Sequence, residues 1–393
     1  MGTQRASTSF LKGLTVLDFA SVGPAARASR ILADYGMRVI KVAPVTAQGK
    51  KQIEPVFHAY GAGRGMQRIR VDLKSEDGRQ VIRTLTKSVD VVMESYRPGV
   101  ADRLGVGYRD LENVNPQLVY CSTSGYGQDG PASQWAGHDI NYLAMGGFLA
   151  CSGRDAEGLP AIPGATVADS AGGGMHAAMA IIAALVNRFR TNEGAYLDVA
   201  ATDGVLNLMS LYLDQYLATG EETRPNEAVL TGGYAWYAVY KTKDGKAISV
   251  GAIEPHFFRN LCSLLGLEEF DAAQYDQARQ DEMKAAFQAK FLTRTRDEWT
   301  ELLAKKNTCV APVLSIPEVV ANDHLRVRKT FTTAHHPDKG DFEQLSAVLE
   351  GADRAQPTHQ VRPPGATDVD AVLGAAGFSS DEIAHFKDCG AVE

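Results

Sequence analysis

The chain has 393 residues, more than one compact domain usually holds, so two domains or one domain with a large excursion are expected. Hydrophobic residues at 45% and charged residues at 22% are ordinary globular values that can supply a core, and a net charge of −7 argues against a broad nucleic-acid-binding surface. The five cysteines (Cys121, Cys151, Cys262, Cys309, Cys389) are scattered and form no CxxC pair, which points to free thiols in a reducing compartment and to no zinc site or other metal centre. The opening stretch MGTQRASTSFLKGLTVLDF lacks an apolar run of signal-peptide length. The longest apolar stretch, 177–186, is too short and too Ala-rich to span a bilayer, so a cytoplasmic protein with no membrane span is expected.

Residues 14–19 (LTVLDF) predict a short buried strand, followed by Gly23-Pro24 and a helix over 25–35 that Gly36 closes. Residues 38–42 (RVIKV) predict the next strand, SEDGRQVIRTLTKS a helix, 89–93 (VDVVM) a third strand and 118–122 (LVYCS) a fourth. Strand and helix alternating at this spacing imply βαβ units and a parallel sheet, with ligands at the C-terminal ends of its strands. Residues 168–190 read as a long helix. The three glycines at 172–174 inside it predict close approach of a ligand or of another backbone. From about residue 226 the texture changes. Segments 234–240 and 247–250 predict a hairpin turning at Lys243-Asp244-Gly245, helices follow over 255–265 and 280–305, and 225–320 reads as a smaller α+β domain. A Pro-rich stretch at 357–367 predicts an extended strap, and 380–387 a last helix.

No GxGxxG, Walker, HExxH or GxSxG motif occurs, so those common enzyme classes find no support. Arg97, in the YRPG that follows the strand VDVVM, sits where a phosphate would be met, and Lys41 at the end of RVIKV has the same placement. Each reads equally as half of a structural ion pair. His138 in GHD reads either as a structural histidine or as an acid/base group. Asp169 reads as a helix cap or as a base stabilised at a helix N-terminus, and Glu254 as a carboxylate heading the helix at 255.

Together the segments LKGLTVLDFASVGPAA, ADYGMRVIKV, VDLKSEDG, ESYRPGVADRLGVGY, SGYGQDGP, AGHDINYLAMGG, ATVADSAGGGM, GAYLDVAATDGV, DGKAISVGAIEP and APVLSIPEV resemble the class III CoA-transferase superfamily over nearly the whole length. AGHDINY and VGAIEPHFF look like its α-methylacyl-CoA racemase branch. The resemblance implies an interlocked homodimer. Its Rossmann-like, parallel-sheet large domain would comprise residues 1–224 completed by 321–393, with the small α+β domain between them. It makes His138 and Asp169 the acid/base pair and Glu254 the support of His138. It also assigns Lys41, Arg64, Arg68, Arg97, Tyr126 and Gly137 to substrate or CoA contacts. No cofactor is implied beyond the coenzyme A of the substrate.

The implied chemistry is inversion at the α-carbon of a 2-methyl-branched acyl-CoA. One group removes the α-proton, and the conjugate acid of the other returns a proton on the opposite face of the enolate. The amides of 169–174 are the expected oxyanion donors, and Met145, Phe148, Met175 and Met179 are candidates for an acyl-chain surface or for core packing. Two other readings stand beside this one. A CoA-transferase would use Asp169 as nucleophile and have no need of His138, and a non-catalytic acyl-CoA-binding protein would leave His138, Asp169 and Glu254 without a task.

Overall fold

A computed structural model of the chain describes residues 9–46, 56, 58–59, 63–352, 354, 358–363 and 365–393. It divides into two compact units. One is Met1–Gly146 with Pro163–Met209 and Asp323–Glu393; the other is Gly147–Ile162 with Ser210–Asn322.

The first unit is built on six parallel strands: β1 (Thr15–Asp18), β2 (Arg38–Ala43), β3 (Met66–Arg70), β4 (Val91–Glu94), β5 (Val119–Ser124) and β6 (Ala195–Ala200). Their spatial order is β3-β2-β1-β4-β5-β6, so the chain winds outward from β1, crosses back, and winds outward again from β4. That reversal opens a crevice at the C-terminal ends of the central strands. The central strands are apolar on both faces because both are covered. Val16, Val39, Val91 and Val119 meet Ala25, Ala28 and Leu32 of the helix Gly23–Asp34, and Ile181 and Leu185 of the helix His176–Thr191. Leu17, Ile40, Val92 and Tyr120 meet Val81, Ile82 and Leu85 of the helix Glu76–Thr86. Val372, Leu373, Ile383 and Phe386 of the closing helices Val369–Ala375 and Ser380–Asp388 join that same cluster.

The helix expected over 168–190 has two parts. A π-helix, Ala168–Met175, carries the glycines and runs into the α-helix His176–Thr191. Ala168–Thr191 is long and apolar enough to cross a membrane by length and composition, but its buried face packs on the sheet and Arg188 pairs with Asp90 at 2.8 Å. It is a core helix.

In the second unit β7 (Tyr237–Lys241) and β8 (Ala247–Gly251) form the expected hairpin, and β9 (Val310–Pro312) pairs with β8. Phe258, Phe287, Phe291 and Trp299 pack with Trp236 and Tyr240 to form its core. The helix expected over 280–305 is broken into Gln280–Phe291 and Arg296–Leu303. Thr295 starts the second by reciprocal capping with Glu298, whose Oε2 accepts the Thr295 N–H at 2.8 Å.

Back in the first unit, β10 (Phe331–His336) and β11 (Gly340–Leu345) form a hairpin, and β12 (His359–Gln360) lies parallel to β10. The extended strap expected over 357–367, of which residues 357 and 364 lie outside the described residues, contains β12, and no element was expected at β10 and β11. The closing residues return to the sheet edge. Val392 bridges Val71, and the Arg70 and Glu393 backbones exchange hydrogen bonds of 3.1 and 3.0 Å.

Candidate active site

The loops that leave β4 and β5, together with the head of the helix Asp139–Met145, enclose a cleft of about 400 Å³. Arg97, Tyr126, Gly137, His138, Asn141 and Tyr142 line it. Its wall is aromatic: the Tyr126 ring meets Tyr142 edge-on at 5.1 Å and Trp135 at 5.9 Å. The Tyr142 hydroxyl donates to the Gly137 carbonyl at 2.6 Å. A Cβ on Gly125 or Gly137 would lie 2.2 or 2.7 Å from the Tyr142 ring, so only glycine fits against this wall. Burial, then the nearby carboxylates led by Asp169, pushes the Tyr142 phenol up to about 12, which keeps it a neutral donor.

His138 is the residue that precedes the first turn of the helix Asp139–Met145, in extended backbone conformation. Its N–H is capped by Asn141 Oδ1 at 3.0 Å, so the cap is made by Asn141 and the exposed imidazole is left to face solvent and the cleft. Asp169 lies in the first turn of the π-helix, half-buried, and its N–H donates to Asp139 Oδ1 at 2.8 Å. Burial raises the Asp169 carboxyl above the ordinary range, the Asp139 charge raises it further, and Arg27 and His138 oppose the shift. Asp139, Arg27 and His138 thus each lie within electrostatic range of Asp169. Asp139 was not singled out in the sequence; its position beside His138, opening a helix, was the available signal.

The glycine run serves backbone approach. A Cβ on Gly172 would lie 2.8 Å from the Ala201 carbonyl, one on Gly173 2.5 Å from Pro24, and one on Gly174 2.4 Å from Arg27 Cβ. The expected oxyanion role of the 169–174 amides is corrected at its first two members. The Asp169 N–H is held by Asp139, and the Ser170 N–H donates to the Thr166 carbonyl at 3.0 Å.

The cationic candidates part company. Arg97 is exposed at the cleft, and no ion pair holds its guanidinium among the described residues. Lys41 instead pairs at 2.6 Å with Asp18, a fully buried carboxylate that also accepts the Ala20 N–H at 2.8 Å. Arg64 is buried against the Leu345 carbonyl (2.9 Å) and Asp34 (3.2 Å). Lys41 follows the structural ion-pair alternative, because a buried carboxylate left without its cation is strongly unfavourable. The Arg68 backbone N–H donates to Asp368 Oδ2 at 2.8 Å. Glu254 is exposed in the second unit, where it heads the helix Pro255–Leu265 as expected. Met145, Met175 and Met179 are exposed, which removes core packing as their role; Phe148 is partly buried in the second unit.

One buried carboxyl escaped the sequence reading. Glu94 ends β4, and its Oε2 accepts the Tyr96 N–H at 2.6 Å, holding the turn that presents Arg97. Burial pushes its carboxyl up to about 7. Its sequence neighbours gave no sign of this, because burial at a strand end is set by the sheet.

Residues 11–367 match the model of CoA-transferase family III. A human protein named alpha-methylacyl-CoA racemase is 36% identical over 376 residues, covering 95% of each chain. An acetyl-CoA:oxalate CoA-transferase of Acetobacter aceti is 30% identical, over 78% of this chain and 81% of its own. Among solved structures, a CAIB/BAIF family protein of Brucella suis superposes with a TM-score of 0.74 at 26% identity, over 93% of this chain and 98% of its own.

Proposed function

The chain belongs to CoA-transferase family III, and from that premise we propose that this enzyme of CoA thioesters epimerises 2-methyl-branched acyl-CoA by 1,1-proton transfer. The observation that supports the reading is an exposed imidazole, His138, lining the cleft within electrostatic range of Asp169, a half-buried carboxyl raised above the ordinary range by burial and by Asp139.

In the proposed cycle neutral His138 takes the α-proton, electrons move into the thioester carbonyl to give the enolate, and protonated Asp169 returns a proton to the other face. The opposite epimer uses the same two groups with roles exchanged. Arg97 is the proposed phosphate contact at the cleft mouth. Glu254 remains the proposed support of His138, and its substitution by Gln is expected to lower kcat. The exposed apolar side chains of the first unit, Met175, Met179, Val186 and Phe189, support a second copy of the chain as their cover.

The A. aceti relative makes CoA transfer the competing reading. Incubating the enzyme with a 2R-2-methylacyl-CoA in D2O, with and without a carboxylic acid acceptor, separates the two. Acceptor-independent deuterium uptake with formation of the S epimer is expected. CoA passing to the acceptor without exchange would overturn the proposal. His138→Ala is expected to cut exchange by at least about 100-fold, the lower end of what a positioned acid/base group contributes.

A further inference from the structure

Far along the chain from the cleft, three metal-ligating side chains of different kinds converge on the outer surface of the first unit. Asp77 stands in the first turn of the helix Glu76–Thr86; His385 and Cys389 stand on the last turn of the helix Ser380–Asp388 and at its end. Asp77 Oδ2 is 3.8 Å from His385 Nε2 and 3.5 Å from Cys389 Sγ, and all three ligand atoms lie within 4.8 Å of one another. Zinc bonds of about 2.0–2.3 Å at tetrahedral angles place ligand atoms roughly 3.3–3.8 Å apart, so small side-chain rotations complete the geometry.

We propose that Asp77, His385 and Cys389 form a binding site for a zinc-class divalent cation. A thiolate, an imidazole and a carboxylate together favour zinc over magnesium or calcium, which take oxygen ligands. Exposure of His385 and Cys389 leaves the fourth position to water. A helix C-terminus carries partial negative charge, and His385 and Cys389 stand at one. The neighbouring charges are committed elsewhere: Lys387 to Asp370 at 2.6 Å, and Glu76 to Arg79 at 2.8 Å and to Arg83. Sequence reading expected no metal centre because it looked for cysteine pairs, whereas here Cys389 and Asp77 are 312 positions apart. The bound ion staples the closing helix to the helix that follows β3, beside the Val71–Val392 bridge.

The test titrates the full-length, chelator-treated protein with Co2+ as a spectroscopic stand-in, followed by competition with Zn2+. One equivalent is expected, with a thiolate-to-cobalt charge-transfer band that Zn2+ abolishes. Cys389→Ser should remove the band. His385→Ala should weaken binding at least about tenfold, the loss that even outer-shell partners produce. Zn2+ should raise the unfolding temperature of the wild type, and at the same Zn2+ concentration raise that of His385→Ala by less. Absence of the band in the wild type, its persistence in Cys389→Ser, or unchanged affinity in His385→Ala would each overturn the proposal. The proton-transfer reading stands or falls separately, since neither variant touches the cleft.

Discussion

At the scale of single residues, two carboxyls are raised above their ordinary range by their surroundings, Asp169 and Glu94. Asp139 contributes both an acceptor for the Asp169 N–H and a charge that raises the Asp169 carboxyl. Asp139→Asn keeps an acceptor and removes the charge, so Asp169 should titrate lower than in the wild type. In the direction that needs protonated Asp169, kcat/KM falls as pH rises through that titration, and the fall should begin at lower pH in the variant. In the opposite direction the rise should also begin at lower pH. The pH profiles of kcat/KM measured from each epimer check both shifts. Glu94 makes a separate prediction. Its folded-state pKa of about 7 lies above the unfolded value, so its protonated form contributes stability that is fully present below the unfolded pKa and is lost as pH rises through about 7. Denaturant unfolding should show this contribution fall by on the order of 2 kcal/mol between about pH 5 and 8, and Glu94→Gln should remove that slope. Arg97 was legible in the sequence as the neighbour of a strand end, whereas Tyr126, Gly137 and the role of His138 came from the family resemblance, and the fold gathers all four on one cleft. Lys41 had the same strand-end signal as Arg97, but Asp18 holds it, and Arg64, assigned from the resemblance, is held by Asp34. Which cation is held and which stays open is decided by contacts across the sheet, which sequence spacing does not contain.

At the scale of elements, the central strands were read directly because both of their faces are buried and their sequences are continuous apolar runs. The edge strands β3 (MQRIR) and β6 (AYLDVA) were not read, because an edge strand is partly exposed and its apolar run is interrupted. β12 was hidden for a related reason: two residues paired to β10 leave no periodicity to detect. The glycine run was legible as a site of close approach, and the structure identifies the partners as Pro24, Arg27 and the helix Ala201–Leu208. Gly204 on that helix is the matching half of the contact, where a Cβ would lie 1.8 Å from the Gly172 carbonyl. Backbone cannot yield as a flexible side chain can. Gly204→Ala should therefore cost about 3 kcal/mol, the upper end of overpacking, measured by denaturant unfolding. It should also lower exchange activity, since it displaces the π-helix that carries Asp169.

At the scale of the whole molecule, the chain leaves the first unit after Met209 and returns at Asp323. The apolar side chains left exposed on the first unit, with Phe189 at 67% and Met179 at 61%, are those that the proposed second copy would cover. Light scattering should then find a dimer at micromolar concentration, and Phe189→Asp should shift the population to monomer. Retention of a dimer by that variant would remove these side chains from the interface. The discontinuity of the first unit also has a consequence for biosynthesis. One face of the parallel sheet needs Val372, Leu373, Ile383 and Phe386, all of which emerge from the ribosome after the entire second unit. Until then Leu17, Ile40 and Val92 lack that part of their cover, so the nascent chain should recruit holdase chaperones for seconds at ordinary elongation speeds. The second unit, contiguous from Ser210 to Asn322 apart from one short excursion, is the part able to become protease-resistant first.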